Sequence, residues 1–322
     1  MCGRLEKARN ELYVEPTRKV ASKLGLEEFV RVKLGTVGDR VVATALPRGA
    51  GLITSITEAD GIVRIPEHVE GLQENQAVKA ELLKPPAALD NTIVAVGSHD
   101  NTLDIIADEL KGGSTGYSLS SSHVGSMGGL MAIKRGACHV TGTHLLDTET
   151  GSYNLSYLMK YLPSLDVRLV NLVMRDQGFI IPKGNPKSIK DIDDLVRDDL
   201  SFINRQGGSG TRILLDYRLQ QRDIDPSRIN GYDTEEYTHM AVAVAVLSGT
   251  VDVGLGIFAA ARALDLDFIP VVTEEYDLVI PQEYYASANI QTLMDIINSE
   301  AFKKRVNALG GYATDKTGQI IL

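Results

Sequence analysis

The spacing of apolar residues changes at Pro85-Pro86, and one fold class does not accommodate both spacings. Before that point apolar and polar residues alternate. Val30, Val32 and Leu34 are separated by Arg31 and Lys33, and Val78, Ala80 and Leu82 by Lys79 and Glu81. A period of two is that of a strand with one buried face. RVVATAL (40–46), LITSIT (52–57) and GIVRIP (61–66) supply three more short strands, broken at Gly49-Ala50-Gly51 and Asp60-Gly61. After one opening helix, a small barrel or sandwich of about five strands is expected.

From residue 91 apolar strand runs (TIVAV, ACHVTGT, VRLVNLV, VDVGLGI, FIPVV) alternate with helical segments, the signature of an α/β unit with a mainly parallel sheet. Leu103, Ile106, Ala107 and Leu110 fall at i, i+3, i+4 and i+7 of an amphipathic helix. Segments 152–162, 189–197, 209–221, 236–248 and 290–309 also read as helices. MAVAVAVL (240–247) would suit a buried strand as well, and helix is preferred because strands flank it. Pro85-Pro86 with Ala87-Ala88 reads as a stiff linker. Residues 1–86 carry 13 Lys/Arg and 12 Asp/Glu, a net of +1, so the remainder holds −10 of the total −9. The expected division is a β domain over 1–86 and an α/β domain over 87–322, with residues 88–322 able to fold alone.

At 322 residues and 43% hydrophobic content, both parts can fill a core. A net charge of −9 and an isoelectric point near 5.2 argue against a nucleic-acid partner bound by phosphate neutralisation. Cys2 and Cys138 make neither a disulfide framework nor a CxxC zinc pair, so no metal site is expected. No run of 18 apolar residues occurs, and the first 25 residues contain no apolar stretch of the signal-peptide kind. The expectation is a cytoplasmic protein with no membrane partner.

Three segments place small polar residues where a strand ends and a helix begins. They are Gly97-Ser98-His99-Asp100, then Ser120-Ser121-Ser122-His123 leading to Gly125-Ser126, and Gly207-Gly208-Ser209-Gly210-Thr211 flanked by Arg205 and Arg212. A helix N-terminus presents unpaired N–H groups and a partial positive charge, which draw anions. Hydroxyls add donors, and glycine lets the backbone approach. For any one of the three, simple helix capping is the better explanation; three together, one flanked by two arginines, point to a ligand cleft. The candidate binding residues are therefore Ser98, His99, Asp100, Ser121, Ser122, His123, His144, Arg205, Gly208, Ser209, Gly210, Thr211 and Arg212. His139, inside a strand-like run, reads as structural, Cys138 as a small buried hydrophobe, and the Asp191–Asp199 acids as a solvated face. GxxxxGK[ST], HExxH and GxSxG are absent, and Gly254-Leu255-Gly256 lacks the third glycine of a dinucleotide fingerprint. No catalytic residue is assigned.

Residues 18–83, above all ATALPRGAGLITSITEADGIVRIPEHVEGL, resemble the C-terminal β-domain of molybdopterin molybdenumtransferases. In that family Mg-dependent molybdate insertion belongs to preceding domains, which this sequence does not contain. Residues 91–322 resemble the periplasmic-binding-protein-like domain often fused behind such transferases, itself similar to type II binding proteins for molybdate and tungstate. GSHD (97–100), FINRQGGSGTR (202–212), VGLGI (253–257) and FKKRVNALGGYATDKTG (302–318) carry this resemblance, with Asn204 where many such proteins have Ser. It implies two α/β lobes, about 91–172 with 273–322 and about 173–272, joined by crossover strands near 167–182 and 268–281. The implied function is oxyanion binding in molybdenum or tungsten cofactor biosynthesis, with molybdate or tungstate as ligand, no covalently bound cofactor, and molybdopterin or other cofactor-assembly proteins as partners. The alternatives are a transferase fragment whose second domain binds molybdopterin or its nucleotide adduct, and a sensor of another small solute.

Overall fold

Five N-terminal strands close on themselves. In the computed structural model, which describes residues 10–46, 48, 54–113 and 115–322, the first part contains β1 (Glu11–Pro16), β2 (Val20–Ala21), β3 (Glu28–Val37), β4 (Arg40–Ala45), helix α1 (Thr54–Glu58), β5 (Gly61–Ile65), β6 (Gly71–Leu72) and β7 (Val78–Leu82). The barrel order is β1-β4-β3-β5-β7, and β2 and β6 form a separate ribbon. The alternating residues Val30, Val32, Leu34, Val63, Ile65 and Ala80 point inward as one core.

Two expectations for this part need correction. The described residues of LITSIT lie in or beside helix α1, not in a strand. The fifth barrel strand is β1, which runs parallel to β4 at Glu15–Val42 and antiparallel to β7 at Glu11–Glu81. β4 has β3 on one side only, and closure requires its free edge to be taken by a strand distant in sequence. The opening helix and the Gly49-Ala50-Gly51 break lie outside the described residues.

The second part begins with β8 (Thr92–Gly97), α2 (Asn101–Gly112), β9 (Ser118–His123), α3 (Gly125–Lys134), β10 (Thr141–Thr143) and α4 (Leu155–Tyr161). The long strand β11 (Val167–Ile181) leads to β12 (Phe202–Arg205), α5 (Gly210–Gln221), β13 (Glu235–Glu236), α6 (His239–Leu247), β14 (Val253–Ile257) and α7 (Phe258–Ala263). A second long strand, β15 (Asp267–Pro281), returns to α8 (Gln282–Tyr285), α9 (Ala288–Asn298), α10 (Glu300–Leu309) and β16 (Tyr312–Ala313). MAVAVAVL is helical, as α6. The helix expected over 290–309 is broken at Ser299, whose Oγ accepts from Phe302 N–H at 3.1 Å and so starts α10. Over 189–197 only a short 3-10 turn forms, capped by Asp191, so this acid starts a turn as well as facing solvent.

The sheet is mixed, not mainly parallel. β8 runs parallel to β9, and β12 parallel to β13 and β14. β11 and β15 pair antiparallel from Val167–Pro281 to Ile181–Asp267. One strand crosses outward between the lobes and the other crosses back, so they must oppose. Lobe one is packed around Ile93, Leu103, Ile106, Leu278, Leu293 and Phe302, and lobe two around Phe179, Leu195, Phe202, Leu215 and Leu255. The barrel adjoins lobe one closely: Val37 and Val42 share an apolar cluster with Val94, Val96, Cys138 and Leu169.

Candidate functional site

At the end of β8 the chain has no room for side chains. A Cβ on Gly97 would lie 2.1 Å from Thr141 Oγ1, so glycine lets β8 and β10 run together and places Ser98 and Asp100 at the lobe boundary. Asp100 caps α2, its Oδ1 accepting from Thr102 N–H at 2.8 Å and Thr102 Oγ1 at 2.6 Å. Its Oδ2 accepts from Arg175 Nη1 at 2.5 Å and from the Tyr312 hydroxyl at 3.0 Å.

Arg175 sits on β11 directly opposite Glu274 on β15, and its Nε donates to that carboxylate. Burial, the largest influence, would raise the Asp100 and Glu274 carboxyls, but the Arg175 charge together with the hydrogen bonds from Thr102 to Asp100, and with the contacts of His144 to Glu274, holds both below the ordinary carboxylate range. Glu274 Oε2 lies 3.1 Å from His144 Nδ1, and His144 Nε2 lies 2.9 Å from Ser98 Oγ. Burial pushes the His144 imidazole down, against the pull of Glu274. A neutral ring beside an ionised Glu274 carries its proton on Nδ1, so the Ser98 hydroxyl donates to Nε2. Tyr276 donates to the Ser98 carbonyl at 2.6 Å. The two crossovers thus hold a chain of Ser98, His144, Glu274, Arg175 and Asp100.

Lobe two brings its glycine-rich turn against this chain. A Cβ on Gly210 would lie 2.3 Å from His144 Cε1 and 2.9 Å from the His144 carbonyl oxygen. Ser209 caps α5, accepting from Arg212 N–H at 3.2 Å. Gly208 has a φ of +80°, the left-handed conformation that suits glycine, and turns the chain into the cap. Thr211 is buried and its Oγ1 has no hydrogen-bond partner.

Arg205 is 7% exposed. It donates to Gln206 Oε1 at 3.1 Å, Glu236 O at 3.2 Å and Tyr237 O at 3.0 Å. Its Nη1 has no partner, and among the described residues no carboxylate pairs with it. Burial, then the nearby Arg175 charge, lowers its guanidinium to about 10. The half-buried His239, whose Nδ1 is buried, is also pushed down, by burial and then by the charges of Arg205 and Arg175. Arg175 Nη2, His239 Nδ1 and Ser122 Oγ are likewise buried without partners. Arg175 is balanced by two acids. Arg205 is not.

The structure therefore brings Ser98, Asp100, His144, Arg205, Ser209, Gly210 and Thr211 to one inter-lobe region. It sends others elsewhere. Arg212 stacks on Tyr232 at 3.9 Å and pairs with Asp216 at 3.2 Å and Glu235 at 3.5 Å. Ser121 and His123 line a cavity beside the barrel. The His99 ring lies 4.2 Å from that of His123, tilted by 45°, and its Nε2 is 3.2 Å from Asp104. His139 is structural, its Nδ1 accepting from Val94 N–H at 3.0 Å. Sequence reasoning missed Arg175, Glu274, His239 and Tyr312. The available signal was that the largely apolar crossover strands carry charges in mid-strand, among them Arg175 and Glu274.

The PBP superfamily domain matches residues 107–298, well over half of the chain. The chain belongs to the PBP superfamily. In this PBP-superfamily chain residues 13–83 also match the C-terminal region, domain IV, of MoeA. The uncharacterized protein YvgK of Bacillus subtilis is 36% identical over 229 residues, 71% of this chain and 73% of that protein. A putative molybdopterin biosynthesis protein of Methanocaldococcus jannaschii is 37% identical over 76 residues, 24% of this chain and 18% of that protein. A putative phosphate ABC transporter substrate-binding protein of Clostridium perfringens, solved with bound phosphate, shares the fold with a TM-score of 0.51 at 14% identity, covering 68% of this chain and 98% of that one. The two-lobed α/β fold expected from the sequence is thereby shown, with a β-barrel before it.

Proposed function

We propose that this chain is a cytosolic oxyanion-binding module of molybdenum or tungsten cofactor biosynthesis, with no catalysis of its own. The observation that carries the reading is Arg205, a buried guanidinium with no acid partner among the described residues and a free Nη1. A buried cation of this kind costs stability until an anion pairs with it. The N-terminus of α5, the free Thr211 hydroxyl and the free Arg175 Nη2 supply further donors. Molybdate or tungstate is favoured within the oxyanion class by the adjoining MoeA-like barrel and by the molybdopterin-biosynthesis relative.

The test is calorimetric titration with molybdate, tungstate, sulfate and phosphate, beside melting curves, on wild type and Arg205→Met. A charge-assisted hydrogen bond contributes about 1.5–3 kcal/mol, so the variant should bind roughly ten- to hundredfold more weakly. Because the substitution removes an uncompensated buried charge, the empty variant should melt no lower than wild type. A lower melting temperature with unchanged affinity would make Arg205 a structural residue and sink the reading.

A further inference from the structure

A second cavity, of about 430 Å3, lies away from the cleft, where the barrel meets lobe one. Barrel strand β3 contributes Lys33, α2 contributes Leu103 and Ala107, and β9 contributes Leu119 and Ser120. Lys33 is 9% exposed, and among the described residues it has no acid within salt-bridge distance. The acids around it are engaged. Glu58 pairs with Lys111 at 2.7 Å, Asp104 with His99 at 3.2 Å, and Asp108 with Arg305 at 2.7 Å. Asp60 accepts from Lys84 at 2.5 Å through Oδ1 and from Leu34 N–H at 3.0 Å through Oδ2. Ser120, 2% exposed, also leaves its Oγ without a partner. Burial depresses the Lys33 ammonium, against the pull of the Asp60 carboxylate and with the repulsion of Lys111 and Lys84.

We propose that this junction cavity is a second ligand site, which takes the carboxylate of a small organic acid on Lys33 and Ser120 and its apolar body against Leu103, Ala107 and Leu119. The volume lies within the range of ordinary small-molecule pockets, about 300–1,000 Å3. One unpaired ammonium and one free hydroxyl match a monoanion. A dianionic oxyanion would meet a single free cation and the carboxylates of Glu58, Asp104 and Asp108. Leu103, Ala107 and Leu119 give it no donors, whereas the body of an organic acid gains by covering them. The class of ligand thus differs from that proposed for the cleft, and the site does not depend on that reading.

The test uses the full chain and a series of monocarboxylates (acetate, hexanoate, benzoate, 3-phenylpropionate), with titration followed by ligand-observed NMR. Saturable binding should strengthen from acetate to the larger acids and persist in saturating molybdate. It should weaken at least roughly tenfold in Lys33→Met, the loss of a charge-assisted contact, and in Ala107→Phe, which fills the space and keeps the amine. The proposal is overturned by no saturable binding of any of the four acids to wild type, or by equal affinity in both variants with melting curves that show them folded. Displacement by molybdate would also overturn it, by assigning the acids to the cleft.

Discussion

Arg175 and Arg205 share one buried neighbourhood, and what distinguishes them is the company each keeps. Asp100 and Glu274 both pair with Arg175, so its charge is engaged within the protein, where it holds the lobes in register. Arg205 bonds only neutral oxygens and leaves its Nη1 without a partner. Asp277, also fully buried, shows the opposite case. Burial pushes its carboxyl up to about 6, although Asn154 and Asn171 donate to it at 2.7 and 2.8 Å. Its folded value lies above the unfolded one, so the folded chain binds more protons between about pH 4 and 6. The stability this group contributes is therefore full below about pH 4 and lost as pH rises through about 6. A rise of that size corresponds to about 3 kcal/mol. Denaturant titrations of wild type and Asp277→Asn across this window should show the difference between them changing by up to that amount and then levelling. A constant difference from pH 4 to 7 would show that Asp277 is ionised throughout.

At the scale of elements, the start of α5 combines an observed cap with the ligand contact proposed above. Ser209 Oγ accepts from Arg212 N–H, an acceptor role that leaves its own proton free to donate. Ser209→Ala should therefore lower stability by about 1 kcal/mol, the usual cost of a lost cap, and weaken oxyanion binding as well. Melting curves and calorimetry on the same variant separate the two effects; a stability loss with affinity untouched would leave only the cap. Gly210→Ala tests how closely α5 approaches lobe one. Alanine normally improves a helix by up to about 1 kcal/mol over glycine. Here the added methyl would meet the His144 ring, held by Ser98 and Glu274, and the His144 backbone. The lobes should be forced apart, with oxyanion affinity reduced at least roughly tenfold and a larger radius of gyration by X-ray scattering. Unchanged scattering and affinity would mean the turn can shift freely.

On the scale of the whole molecule, the barrel and lobe one are not merely strung together. Val37 and Val42 pack with Val94 and Val96, a Cβ on Gly35 would lie 2.5 Å from Val94 Cγ2, and Arg40 Nη2 donates to the carbonyls of Arg135 and Gly136 at 2.5 and 2.6 Å. Residues 88–322 retain both lobes and both crossovers, so they should melt cooperatively when expressed alone. They should also melt below the full chain and bind an apolar dye, because the face of β8 turned to the barrel is uncovered. Equal melting temperatures would show that the shared layer adds nothing, and loss of a cooperative melt would make barrel and lobe one folding unit.

The difference between local and distant pairing explains what was legible. Strands β3, β4, β5 and β7 were visible in the alternation of neighbouring residues, and the caps Asp100 and Ser209 in residues two or three positions away. The periodicity likewise marked α2, α5 and α6. Such features rest on interactions within a few residues, which a sequence records directly. The sequence also determined the two-part organisation and both resemblances. Tertiary structure decided that β1, and not LITSIT, closes the barrel, because closure depends on an edge left free elsewhere. It decided that Arg212 is satisfied by Asp216, Glu235 and Tyr232 while Arg205 is not, although both flank the same turn. It alone placed Glu274 opposite Arg175, 99 positions away in the chain. Whether a charge is spent or available depends on which other charges the fold brings within a few ångströms, and no local pattern carries that information.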